Sequence, residues 1–245
     1  DLLNGVVTFK DVKLKPRNVL LNPKVIVKDA KTLQNIPDVR VLFSNPNRDK
    51  NFITDQTGTV DVQVFQDTIP YDLFAGKWGY LHKKVIFDSQ NPVPEITILM
   101  SKGYQDDFLF DQGWKVTSTA SSGTWTRGEP KGTFQGGVAV APELDLPNDF
   151  GVECYITGNE GSTISDDDID NGGTVLTSPV MNLITYNQPL LSYSTWFANQ
   201  SGSGIPNDKM VVRLNNGSQT VVLDEITSPD PKWTTKSKID LKSMI

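Results

Sequence analysis

Thr59-Val60-Asp61-Val62-Gln63-Val64-Phe65 carries the clearest periodicity in the chain. Its valines alternate with polar residues, the period-2 pattern of a half-buried β-strand. The segments around it have the same character. Val25 to Val27, Val39 to Phe43, Tyr80 to Phe87 and Glu95 to Met100 are rich in β-branched and aromatic residues. Their boundaries fall at Asn22-Pro23, Asn45-Pro46, Asn91-Pro92, Thr57-Gly58 and Gly76 to Gly79, which are turn chemistries. No apolar pattern sustains a 3.6-residue period over three turns, so the chain reads as all-β, a sandwich or barrel of short strands.

The second half continues in kind. Strands are expected at Trp114 to Ser118, Thr124 to Arg127, Val152 to Thr157, Val175 to Thr177, Leu190 to Phe197, Met210 to Leu214, Gln219 to Ile226 and Lys236 to Leu241. Loops rich in Gly, Pro and Asn separate them at 128–137, 142–151 and 200–208. Asn216-Gly217 reads as a hairpin turn whose two central residues tolerate positive φ. The charge is uneven. Residues 1–100 carry 13 basic and 11 acidic side chains, a net of +2, whereas residues 101–245 carry 10 and 18, a net of −8. That asymmetry and the turn at Ser101-Lys102-Gly103 divide the chain into domains 1–102 and 103–245. The chain ends just after a strand. An open edge is a liability, so the natural polypeptide is expected to continue with closing strands.

Composition limits the chemistry. An acidic chain without a basic stripe excludes nucleic acid as the expected partner, and no apolar run reaches the length of about 20 residues that membrane insertion needs. Cys154 is the only cysteine and reads as a buried strand thiol. A zinc peptidase needs several His ligands and a Ser-His-Asp triad needs one, yet only His82 is present. It lies in Tyr80-Leu81-His82-Lys83-Lys84 and reads as an outward strand residue. Paired carboxylates could serve a glycosidase, but spacing alone does not locate such a pair.

The aspartates at 166–170 are the main candidate site. Asp166, Asp167, Asp168 and Asp170 precede Asn171-Gly172-Gly173. Hard oxygens at near-alternate positions beside glycines suit calcium, which takes six to eight oxygen ligands, so Asp106 or Asp107 would supply further donors. The pattern is not an EF-hand. The competing reading is a solvated acidic loop. The tryptophans also carry two readings, core packing or stacking on a sugar ring, the latter resting on Trp125, Trp196 and Trp233. Asn199-Gln200-Ser201 and Asn216-Gly217-Ser218 fit the N-glycosylation triplet.

Thr54-Asp55-Gln56-Thr57-Gly58-Thr59-Val60, with Phe74-Ala75-Gly76-Lys77-Trp78-Gly79-Tyr80, resembles the carboxypeptidase regulatory-like domain over residues 20–100. That resemblance implies a prealbumin-like β-sandwich without catalytic residues. A second set of residues is similar to the jelly-roll modules of secreted bacterial peptidases and adhesins, related to cleaved-adhesin and MAM-like domains, especially from Bacteroidetes. It comprises Asp106-Asp107-Phe108, Gly113-Trp114, Trp125 to Gly128, Asp149-Phe150-Gly151, Cys154 to Asn159, Asp166 to Gly173, Leu176 to Pro179 and Leu191 to Phe197. Together the resemblances imply a non-catalytic accessory region, secreted or at the cell surface and stiffened by calcium. Its partners would be an adjacent peptidase domain of the parent protein and a surface protein or glycan. Asp67-Thr68-Ile69 fits the short O-glycosylation motif of such bacteria. A carbohydrate-binding module is the alternative.

Overall fold

The computed structural model describes residues 19–160, 168–199 and 207–244. No helix occurs among them and the chain is all-β. It separates into two compact units. The first runs through Lys77 and resumes at His82–Ser101; the second comprises Trp78–Leu81 and the chain from Lys102. The division near Ser101 coincides with the charge boundary, but the Trp78–Leu81 loop joins the acidic unit.

The first unit contains two sheets. One orders β5 (Thr59–Asp61), β2 (Lys24–Asp29) and β9 (Glu95–Met100); the other orders β4 (Arg48–Ile53), β3 (Arg40–Asn45), β7 (Tyr71–Gly76) and β8 (Lys83–Phe87). A short pair joins β1 (Leu20–Leu21) to β6 (Val64–Phe65). The strand pairing is antiparallel except for β2 with β9, which run parallel from Lys24↔Glu95 to Asp29↔Met100. Parallel neighbours need a crossover connection, and here the whole second sheet lies between them in sequence. Alternate residues of these strands are fully buried: Val25 and Val27, Val41 and Phe43, Leu73 and Ala75. The Phe43 ring stands edge-on to Phe52, Tyr71 and Phe87, with centroids 5.9, 6.0 and 5.5 Å away.

The Thr59–Phe65 run is half as regular as its pattern. Val62 and Val64 are fully buried, as the alternation requires, but the run is two strands, β5 on β2 and β6 on β1. Between them, Val62 N donates to Pro23 O at 3.1 Å. Side-chain alternation specifies a face and not a backbone partner, so a change of neighbour mid-run leaves no trace in the pattern. His82 also differs from expectation: it is buried, not outward, and precedes β8.

The Thr54–Gly58 turn is a structural clamp. Thr54 Oγ1 is buried, donates to Ile36 O at 3.0 Å and accepts from Val39 N at 2.9 Å. Asp55 Oδ1 accepts from Thr57 Oγ1, Thr57 N and Thr59 N, and these bonds hold its carboxyl below the usual carboxylate range. Gly58 has φ +71, and a Cβ there would lie 2.7 Å from Ile36 N. Gly58→Ala therefore meets both left-handed strain and a backbone clash. We expect a loss of about 2 kcal/mol or more, a fall in melting temperature on the order of 10 °C for a unit of this size. An unchanged melting temperature by circular dichroism would contradict this role.

The second unit consists of antiparallel pairs: β10 (Lys115–Ser118) with β15 (Thr174–Thr177), β11 (Trp125–Gly128) with β14 (Cys154–Thr157), β12 (Thr133–Gln135) with β13 (Val138–Ala141), β16 (Leu190–Phe197) with β19 (Asp230–Asp240), and β17 (Met210–Asn215) with β18 (Thr220–Ile226). The β17–β18 hairpin forms as expected, but its turn is shifted by one residue. Asn216 N donates to Gln219 O, so Gly217 and Ser218 are central, and of these Gly217 takes positive φ, at +89. Asn216 instead uses Oδ1 to accept from Ser218 N and Gln219 N.

Candidate metal centre

Asp107 enters the site from a turn that the sequence holds tightly. Beside it, Asp106 Oδ1 accepts from Phe108 N at 2.9 Å and its Oδ2 from the Trp114 indole at 2.8 Å, and its carboxylate lies within 4.8 Å of that of Asp107. Asp107 is 5% exposed. Its charge acts on Asp145 and Asp149, two carboxylates of the loop between β13 and β14. Asp145 Oδ1 accepts from Leu146 N at 2.7 Å, while its Oδ2 is buried without a hydrogen-bond partner. Glu129, Glu143, Asp145 and Asp149 line a pocket of about 230 Å³.

Asp107, Asp145 and Asp149 thus act on one another electrostatically in a partly desolvated region, although no three donor atoms that include Asp145 or Asp149 lie within 4.8 Å of one another among the described residues. Burial, then Asp145, then Asp107 push Asp149 up to about 7. Burial is also the main cause of the raised Asp145, with Asp107 adding to it and hydrogen bonds from Leu146 N and Cys154 opposing it. Cys154, buried on β14, hydrogen-bonds Asp145; burial first and that carboxylate second push its thiol up to about 12. The thiol therefore stays protonated at neutral pH and offers no soft thiolate. What remains is a set of hard oxygens with excess negative charge, the donor chemistry of calcium or magnesium and not of zinc or copper.

The other expected site residues fall elsewhere. Asp166 and Asp167 lie outside the described residues. Asp168 is next to Asp170 and Asp208; burial, then these two neighbours, raise it above the ordinary range. The main chain there is tied down, since Ser122 Oγ donates to Asp168 O at 2.9 Å and Ser121 N to Asp170 O at 2.9 Å. Asp107 acts on Asp145 and Asp149, whereas the neighbours that act on Asp168 are Asp208 and Asp170. Neither Asp145 nor Asp149 was expected as a metal donor, because the 142–151 stretch reads as a loop rich in Gly, Pro and Asn, although Asp149 belongs to the Asp149-Phe150-Gly151 segment of the jelly-roll resemblance. Two aspartates four residues apart, Asp145 and Asp149, were the available signal.

Among the tryptophans, Trp196 and Trp233 come together edge-on at 6.0 Å, and Trp125 opens β11. All three are half-buried. Trp233 Nε1 donates to Leu144 O at 3.1 Å, bracing the loop that carries Asp145. Asn199 is buried and donates from Nδ2 to Asp208 O and Thr227 O, both at 3.0 Å, so in the folded chain this amide is occupied and not presented for glycosylation. Thr68 of the Asp67-Thr68-Ile69 triplet is exposed.

No family model, curated protein or solved structure matches this chain.

Proposed function

We propose that this chain is a non-catalytic accessory region of a secreted or cell-surface protein, and that its second unit is stiffened by a calcium ion held at Asp107, Asp145 and Asp149. The single observation that carries the reading is the desolvation of Asp149 beside other carboxylates: burial first, then repulsion from Asp145 and Asp107, push it up to about 7. A divalent ion relieves such repulsion at neutral pH. Residues quoted for the jelly-roll resemblance bond the flanks of Asp107 and Asp145 itself: Trp114 donates to Asp106, Arg127 to Phe108 O, and Cys154 hydrogen-bonds Asp145. That grouping supports the finer reading of a jelly-roll module following a prealbumin-like unit, beside a peptidase domain of the parent protein. In that setting the ion braces loops and does no chemistry.

Calorimetric titration of the whole chain with calcium tests this. We expect saturable binding at neutral pH that weakens at least about tenfold in Asp145→Asn, which keeps shape and removes one charge. A second equivalent, lost in Asp168→Asn, would add the 168–170 loop as another site. Absence of calcium uptake by the wild type would overturn the reading.

A further inference from the structure

The loop between β15 and β16, residues 178–189, bears the two most exposed large aliphatic side chains among the described residues. Val180 is 89% exposed and Ile184 91%. The main chain that carries them is fixed. Trp78 Nε1 donates to Val180 O at 2.8 Å. The Tyr104 hydroxyl accepts from Asn182 N at 2.7 Å and donates to Asn182 O at 3.5 Å. Asn182 Oδ1 accepts from Ile184 N at 3.2 Å, and Tyr186 N donates to Leu183 O at 3.0 Å. The anchoring rings pack in series, Trp78 to Tyr104 at 5.2 Å and Tyr104 to Tyr186 at 6.3 Å. The aromatic groups thus grip the backbone and leave both aliphatic side chains outward. A loop already ordered in this way loses little further freedom when a partner covers it.

Charge indicates which partner fits. No Asp, Glu, Lys, Arg or His occurs from Asn171 to Asn199, although charged residues are 21% of the chain. Residues 101–245 carry a net of −8, so two copies repel one another except where they meet through uncharged surface. Opposite charges stand at the two ends of this neutral loop. Thr177 pairs with Lys115 on β10, and Leu190 with Asp240 on β19; Lys115 and Asp240 are both exposed. A two-fold interface sets one patch against itself with its ends exchanged, which brings the Lys115 end of one copy to the Asp240 end of the other. We propose that the 178–189 loop is the contact of a homodimer, with Val180 and Ile184 at its centre and Lys115 facing Asp240 across it. This contact is independent of the calcium reading above.

Sedimentation velocity of the whole chain over a concentration series tests this. The wild type is expected to show a reversible monomer–dimer equilibrium. Val180→Asp combined with Ile184→Asp sets like charges against one another at the centre and is expected to leave a monomer. Both side chains face solvent, so the melting temperature of that variant should stay at the wild-type value. Lys115→Glu and Asp240→Lys, each alone, are expected to weaken the dimer about tenfold or more, because two-fold symmetry counts each change twice. Together they restore opposite charges across the contact, and most of the affinity should return. A wild type that stays monomeric overturns the proposal, and so does a dimer that survives in the Val180→Asp, Ile184→Asp variant. Single charge variants without effect, or a double variant without recovery, overturn the two-fold arrangement. A monomeric wild type that binds neutral phosphatidylcholine vesicles through Val180 and Ile184 would assign the loop to a lipid surface and overturn the proposal as well.

Discussion

Chelation with EDTA at pH 7.5 is expected to lower the melting temperature of the second unit by about 10 °C. A ligand present at a thousand times its dissociation constant stabilises the state it binds by about 4 kcal/mol, and for 150 to 250 residues each kcal/mol moves the midpoint by about 2–4 °C. All five tryptophans, Trp78, Trp114, Trp125, Trp196 and Trp233, belong to this unit, so their fluorescence reports its unfolding. Trp114 and Trp233 adjoin the site through Asp106 and Leu144. Magnesium should protect less, because it demands stricter octahedral geometry and gives up its water reluctantly.

Phe43→Ala is expected to cost the first unit about 3–5 kcal/mol. Its side chain is fully buried and touches the rings of Phe52, Tyr71 and Phe87, so truncation leaves a void that neighbouring strands cannot close and removes three edge-on ring pairs. Ile86→Ala is the matched control. Ile86 lies on β8 of the same sheet but is 63% exposed, and its loss should fall within about 0.5 kcal/mol. Denaturant midpoints by circular dichroism compare the two. Equal effects would mean that the face assignment of these strands is wrong.

The period-2 runs made the class of fold legible, and several strands stand where their residues place them: β9 at Glu95–Met100 and β16 at Leu190–Phe197. The strand least visible in sequence, β7, is among the most buried. Tyr71-Asp72-Leu73-Phe74-Ala75-Gly76 follows a proline, contains an aspartate and ends in small residues. Asp72 survives there by pairing with Lys84 on β8 at 2.7 Å, a partner that no local pattern can announce. β12 and β13 were hidden for a related reason: their glycines, Gly136 and Gly137, read as loop when they form a hairpin tip.

The candidate site was legible only in part. Charge density drew attention to 166–170, and Asp107 was seen as a possible donor. Asp145 and Asp149 were not, because what distinguishes them is burial beside another carboxylate, a property of the fold and not of spacing. Local sequence can show where negative charge is dense; it does not show where negative charge is desolvated, and desolvation is what raises the energy that a cation relieves.

The most direct test of the cation reading is the melting temperature with calcium and with EDTA, followed from pH 4.5 to pH 8. Asp149 is pushed up to about 7 in the folded chain from an ordinary value of 3.8, so the metal-free fold holds a proton that the unfolded chain has already released. The contribution of Asp149 to stability is therefore fully present below about pH 3.8 and is lost as pH rises through about 7. Calcium needs the ionised carboxylates, so its stabilisation grows over the same interval. Curves that coincide near pH 5 and separate by about 10 °C above pH 7 are the expected result. Curves that coincide across the whole range would contradict a calcium site at Asp107, Asp145 and Asp149.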